Sequence, residues 1–116
     1  MDIYHVWCDL QPGVSDLDFS CKADFWLEHL RSKGLIEGWR LTRRKLGLAP
    51  PGMGEFHIMI EVKNLAQLDE AFQLAASRTA PAEGFHFGVN SLLRHSVFAL
   101  YRDFPDAVRQ AGDELF

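Results

Sequence analysis

Between Gly54 and Val62 the chain alternates with period two. Phe56, Ile58, Ile60 and Val62 fall on one side, and His57, Met59 and Glu61 on the other. This is the pattern of a β-strand with two unlike faces. The aliphatic and aromatic side must be buried against helices. The other side mixes an imidazole, a thioether and a carboxylate, which is unusual for a face that only meets water and implies a semi-enclosed space.

The rest of the chain reads around this strand. Asp2–Leu10 predicts a first strand, closed by the turn signal Gln11-Pro12-Gly13. Ser15 and Asp18 make a capping-box-like start for a helix from about Asp16 to Lys33, which Gly34 ends. Phe19, Ala23, Trp26, Leu27 and Leu30 share its sheet-facing side, while Leu17, Cys21 and Phe25 form a smaller stripe read as surface, with a subunit or tail contact as the alternative. Leu35–Leu46 reads as the second strand and Gly47–Gly54 as a proline-stiffened loop before the third strand. Asn64, with Gln67, caps a second helix whose expected buried stripe is Leu65, Leu68, Phe72, Ala75 and Ala76. Pro81 opens a short further helix with Phe85, Val89 and Leu92 on its apolar side. Ser96–Arg102 reads as the fourth strand, ended by Asp103-Phe104-Pro105, and the tail Asp106–Phe116 is polar up to Leu115-Phe116.

This order predicts an α+β, ferredoxin-like βαββαβ domain over residues 1–116: a four-stranded antiparallel sheet with its helices on one face. The opposite face is then bare and carries apolar side chains. Two such sheets packed face to face solve that problem, so a homodimer enclosing a barrel-like interior, a dimeric α/β barrel, is expected.

Composition narrows the classes. A chain of 116 residues, 47% of them hydrophobic, supports one core without disulfides or structural metal. A net charge of −4 argues against broad nucleic-acid binding. No apolar run approaches the ~20 residues needed to span a membrane, and the N-terminal segment has no signal-peptide pattern. Cys8 and Cys21 have neither metal-ligand nor CxxC spacing and read as reduced thiols of a cytoplasmic protein.

Three segments carry a family likeness: Gly38-Trp39-Arg40-Leu41-Thr42-Arg43-Arg44-Lys45-Leu46-Gly47, the Gly54–Val62 strand, and Phe98-Ala99-Leu100-Tyr101-Arg102-Asp103-Phe104-Pro105. Through them the chain resembles the dimeric α/β-barrel superfamily, which includes antibiotic-biosynthesis-monooxygenase-like, EthD-like and stress-responsive barrel proteins. It is most similar to a bacterial family of uncharacterised ferredoxin-like proteins. The wider resemblance implies a range of oxygenases, isomerases, haem enzymes and proteins without known chemistry.

The candidate chemistry centres on histidine. His57 lies opposite the aliphatic face of its strand, and His5 shares a face with Ile3 and Trp7. The first and third strands are neighbours in this fold, so the two imidazoles have the opportunity to meet, either as a hydrogen-bonded pair in a partly wet interface or as a general base and ligand anchor. Arg40 and Arg44 face the barrel if Trp39 and Leu41 face the helices, and either is placed to hold Glu61 or a ligand carboxylate. His86 and Asn90, four apart, share one side of the short helix, as a structural pair or as a lip over the barrel mouth. His29 is read on an exposed helix side and His95 at a strand start, neither with a role.

No metal is expected: His57 and Glu61 stand roughly 13 Å apart along a strand, and no HxH or HExxH motif is present. There is no GxGxxG, GxSxG or P-loop, so no cofactor is expected. The leading expectation is a small, largely apolar molecule with a polar end, bound in the barrel interior by Trp7, Met59 and Tyr101 as walls and His5, Arg40 and His57 as polar handles, with Glu61 and His86 nearby. The alternatives are a cofactor-independent monooxygenase or isomerase, with His57 as general base and Arg40 or His5 stabilising negative charge, and a purely structural dimer.

Overall fold

The computed structural model describes residues 1–105. Its elements are β1 (Asp2–Leu10), α1 (Asp16–Ser32), β2 (Gly38–Arg43), β3 (Phe56–Val62), α2 (Leu65–Ser77), α3 (Ala82–Asn90) and β4 (Leu93–Arg102). The four strands form one antiparallel sheet in the order β2-β3-β1-β4, the ferredoxin-like arrangement with an added third helix.

The capping chemistry of both long helices is as their sequences imply. The Ser15 hydroxyl accepts from the Asp18 N–H at 3.3 Å, and the Asn64 side chain from the Gln67 N–H at 3.0 Å. Gly34, at φ +70°, ends α1 and lets the Leu35 N–H reach back to the Leu30 carbonyl at 3.0 Å. The core lies between helices and sheet. Phe19, Ala23, Trp26, Leu27 and Leu30 of α1 meet Cys8, Phe56, Ile58 and Val62 of the strands, and Phe19 packs edge-on against Phe56. Leu17 and Phe25 are exposed, and Phe25 also lies beside Phe85 of α3. The tail Asp106–Phe116 lies outside the described residues.

Three boundaries depart from the sequence reading, each for a physical reason. β2 covers Gly38–Arg43 rather than Leu35–Leu46, because its flanking apolar residues do other work. Ile36 is buried in the link from α1, whereas Leu46, at φ +57°, is an exposed turn residue. On α2 the buried residues are Leu68 and Ala71, while Leu65 and Phe72 are exposed and Phe72 meets Tyr4 edge-on at the rim of the core. β4 begins at Leu93 rather than Ser96 and contains a bulge: two steps on β1, Trp7 to Asp9, oppose three on β4, Val97 to Arg94. His95, at φ +55°, takes up the extra residue and so lies inside the strand. The bulge reverses the strand's parity, returning Leu93 to the core side.

Cys8 is fully buried, and burial, with the Asp9 carboxylate adding to it, pushes its thiol up to about 11. Gly54 lies against the Cys8 backbone so closely that a Cβ there would collide with it. Gly54→Ala is expected to destabilise the fold by about 1–3 kcal/mol through overpacking, read as a lower urea midpoint at unchanged m-value.

Candidate functional site

The sheet register fixes the side chains on the helix-free face. Thr42, His57, Trp7 and Val97 form one row across β2-β3-β1-β4. Arg40, Met59, His5 and Ala99 form the next, and Gly38, Glu61, Ile3 and Tyr101 the third. His5 and His57 are therefore diagonal neighbours on adjacent strands. His5 Nδ1 and His57 Nε2 stand 2.8 Å apart, while the ring centroids are 5.0 Å apart and the planes only 20° from parallel. Rings in near-parallel planes whose nitrogens are so much closer than their centres lie edge to edge, with the nitrogens facing. Trp7 stacks across both, at 4.3 Å from His57 and 5.3 Å from His5, each within 10° of parallel. Tyr101 closes on His5 edge-on at 5.0 Å.

Facing nitrogens at that distance need one hydrogen between them, so one imidazole donates and the other accepts. The remaining nitrogen of His5, Nε2, is buried without a partner. A buried lone pair is less costly than a buried orphan N–H. The favoured assignment therefore has His5 Nδ1–H donating to His57 Nε2. Burial lowers the pKa of both histidines from the ordinary 6.5, and at His57 the charge of His5 adds to the effect. At neutral pH the pair is uncharged.

A partly open pocket lies on the other side of the sheet. It has a volume of about 160 Å³, lies between the sheet and the helices, and is lined mainly by apolar and aromatic side chains, among them Tyr4, Trp26, Ile58, Phe72 and Phe98. His86, Asn90 and Ser96 supply polar groups, and burial raises the Tyr4 phenol above its usual value. Among the described residues no group of three or more His, Cys, Asp or Glu is placed to hold a metal.

Comparison with known proteins agrees with this architecture. The protein At3g17210 from Arabidopsis thaliana has a TM-score of 0.71 at 9% identity, over 93% of this chain and 100% of that one. SnoaB, a cofactor-independent oxygenase from Streptomyces nogalater, has a TM-score of 0.68 at 6% identity, over 93% and 97%. A dimeric ferredoxin-like protein of unknown function from Jannaschia sp. CCS1 has a TM-score of 0.63 at 13% identity, over 89% and 100%. At these identities the likeness shows the fold. No curated protein matches the sequence. A family model described as a family of unknown function, DUF6614, matches residues 1–116. The chain belongs to the DUF6614 family.

In this DUF6614 protein the anticipated site residues are divided between two faces. His5, Trp7, His57 and Tyr101 come together on the helix-free face, with Met59 directly opposite His5. Arg40 and Glu61 share that face but are exposed, and no ion pair joins them among the described residues. Arg44 stands beyond the end of β2 and is exposed. His86 is not a lip over this face: it belongs to the cavity on the far side, 5.1 Å from Trp26. His29 is half-buried rather than exposed, against Trp26 and Phe85, with its Nε2 buried and unpartnered. The cavity-lining Tyr4, Phe72 and Phe98 were assigned no site by sequence pattern; the alternation of Tyr4, Val6 and Cys8 was the signal that they share the helix side.

Because desolvation is the main cause of the lowered histidine pKa values, Trp7→Ala, which opens the face of both rings to water, is expected to raise both titration midpoints toward 6.5. Imidazole ¹⁵N shifts followed against pH in both proteins measure this directly.

Proposed function

We propose that this DUF6614 protein is a bacterial, cytoplasmic homodimer that binds a small, largely apolar molecule with a polar end in each protomer. The ligand sits in the cavity between sheet and helices, and the second copy covers the helix-free face. The observation that carries the reading is the apolar cavity of about 160 Å³ with its polar groups gathered at His86, Asn90 and Ser96. An apolar space of about 150 Å³ is large enough for a single aromatic ring. The two free thiols support the cytoplasmic placement.

The dimer is supported by the sheet itself. Among the described residues the three helices leave one face bare, and the rows around Ile3, His5, Trp7, Met59, Val97 and Tyr101 carry only Arg40 and Glu61 as charged groups. The Jannaschia protein of the same fold is described as dimeric. In the enzyme alternative His57 would be the general base of a cofactor-independent oxygenase, the activity named for SnoaB. His57 is neutral enough for that role. Its Nε2 is engaged by His5, however, and the cavity opens on the other side of the sheet, so binding is the better-supported reading.

Phenol is a suitable probe, being one ring with one polar end. Amide and indole shifts titrated with phenol are expected to move at Tyr4, Trp26 and Ala71, with Kd below about 1 mM, a binding free energy near 4 kcal/mol. Ala75→Phe, which fills the cavity, is expected to abolish the effect. Equal binding by that variant, or no shift at the lining residues, contradicts the assignment.

A further inference from the structure

The His5–His57 pair can hold one hydrogen in its gap and no more. With both rings charged, two N–H groups would confront each other across 2.8 Å. Even the first added proton is opposed. In the favoured assignment it must go to His5 Nε2, which is buried without a partner, or displace the existing hydrogen bond.

The surroundings offer little to offset either charge. Among the described residues the ionisable groups at strand positions of this face are Asp9 on β1, Arg40 on β2, Glu61 on β3, and Arg94 and Tyr101 on β4, with Arg44 just beyond β2 and His95 at the bulge. Among the described residues no helix packs on this side to contribute others. Asp9 accepts from the Glu55 N–H at 3.0 Å, and Glu61 lies in the row beyond His5, opposite Ile3. Arg40, in the row of His5, adds positive charge. Neither carboxylate forms a hydrogen bond or ion pair with an imidazole among the described residues. The facing nitrogens also disfavour a metal. Two ligands of one tetrahedral ion must converge on it at bonds of ~2.0–2.1 Å, whereas these nitrogens point at one another.

We propose that the His5–His57 pair is an acid-operated latch on the closure of two copies of this chain: uncharged, it lets the helix-free faces pack together, and protonated, it parts them. The latch rests on the homodimer reading above. Closure removes the pair further from water and brings a second identical pair and a second Arg40 onto the same interface, so each imidazole charge is penalised more in the dimer than in the free protomer. The sign follows. The free protomer already holds both histidines below their ordinary 6.5 and closure lowers them further, so the dissociated protein binds more protons once the pH falls to its own lowered midpoint. The dimer is therefore at full strength at neutral pH and weakens only below 6.5, as acid reaches the pair.

Sedimentation equilibrium of the full chain at micromolar concentration, from pH 8 to pH 5, tests this. With one proton excluded per protomer, Kd is expected to rise roughly 100-fold per pH unit below the turning point. The monomers should be folded, as judged by circular dichroism at the same pH. In His57→Gln and in His5→Gln the dimer should persist at pH 8 with the turning point of its acid dependence shifted, and in the double variant the dependence should vanish. In the wild-type protein, where no variant has to fold, the imidazole ¹⁵N midpoint should coincide with dissociation. A monomer at pH 8 overturns the dimer and the latch together. A dimer indifferent to pH, an acid dependence unchanged in His57→Gln, or a midpoint apart from dissociation each overturns the latch and leaves the dimer reading standing.

Discussion

A β-sheet has two faces, and the described residues of this chain supply helices for only one. Everything else in the structure follows from that imbalance. On the covered side, alternate positions of β1 and β3 are aliphatic, aromatic or thiol and pack against the stripe of α1. On the bare side, the same strands present Ile3, His5, Trp7, His57 and Met59 in register across the middle of the sheet. A surface of that composition is neither a core nor an ordinary solvated face. The physical problem it sets is how to keep aromatic rings and neutral imidazoles out of water without helices to cover them.

The imidazole pair shows how finely such a face is balanced. The direct cross-strand partner of His57 is Trp7, and that of His5 is Met59, yet the hydrogen bond runs along the diagonal. Stacking by Trp7 holds both rings near one plane, and that common plane allows the nitrogens to face. The indole thus does two things. It covers the face of both rings, whose pKa values burial lowers, and it lies parallel to the acceptor and the donor alike. The cavity obeys the opposite logic: apolar walls far exceed its polar groups, and those groups stand on α3 and β4.

Much of this was legible in the chain. Period-two alternation at Phe56–Val62 identified the strand and its two faces, and the element order implied the sheet in which β1 lies beside β3. The meeting of His5 with His57 needed register, which turn geometry and the bulge on β4 determine and alternation does not. The end of β2 was hidden because Leu46 is as apolar as a strand residue yet sits in an exposed turn at positive φ. Leu93 was missed because the bulge at His95 breaks the very alternation that marks a strand. The cavity was invisible for a different reason. Tyr4, Trp26 and Phe98 look like core residues, and only their packing shows that space is left between them.

The central claim is that a second copy of the chain lies against the helix-free face. Isotope-filtered nuclear Overhauser spectra of a mixture of labelled and unlabelled protein at pH 8 test it most directly. The account predicts intermolecular contacts from the Met59 methyl and the Trp7 ring to side chains of the same face on the other copy. Their absence, with tumbling appropriate to a single 13.2 kDa chain, would contradict it.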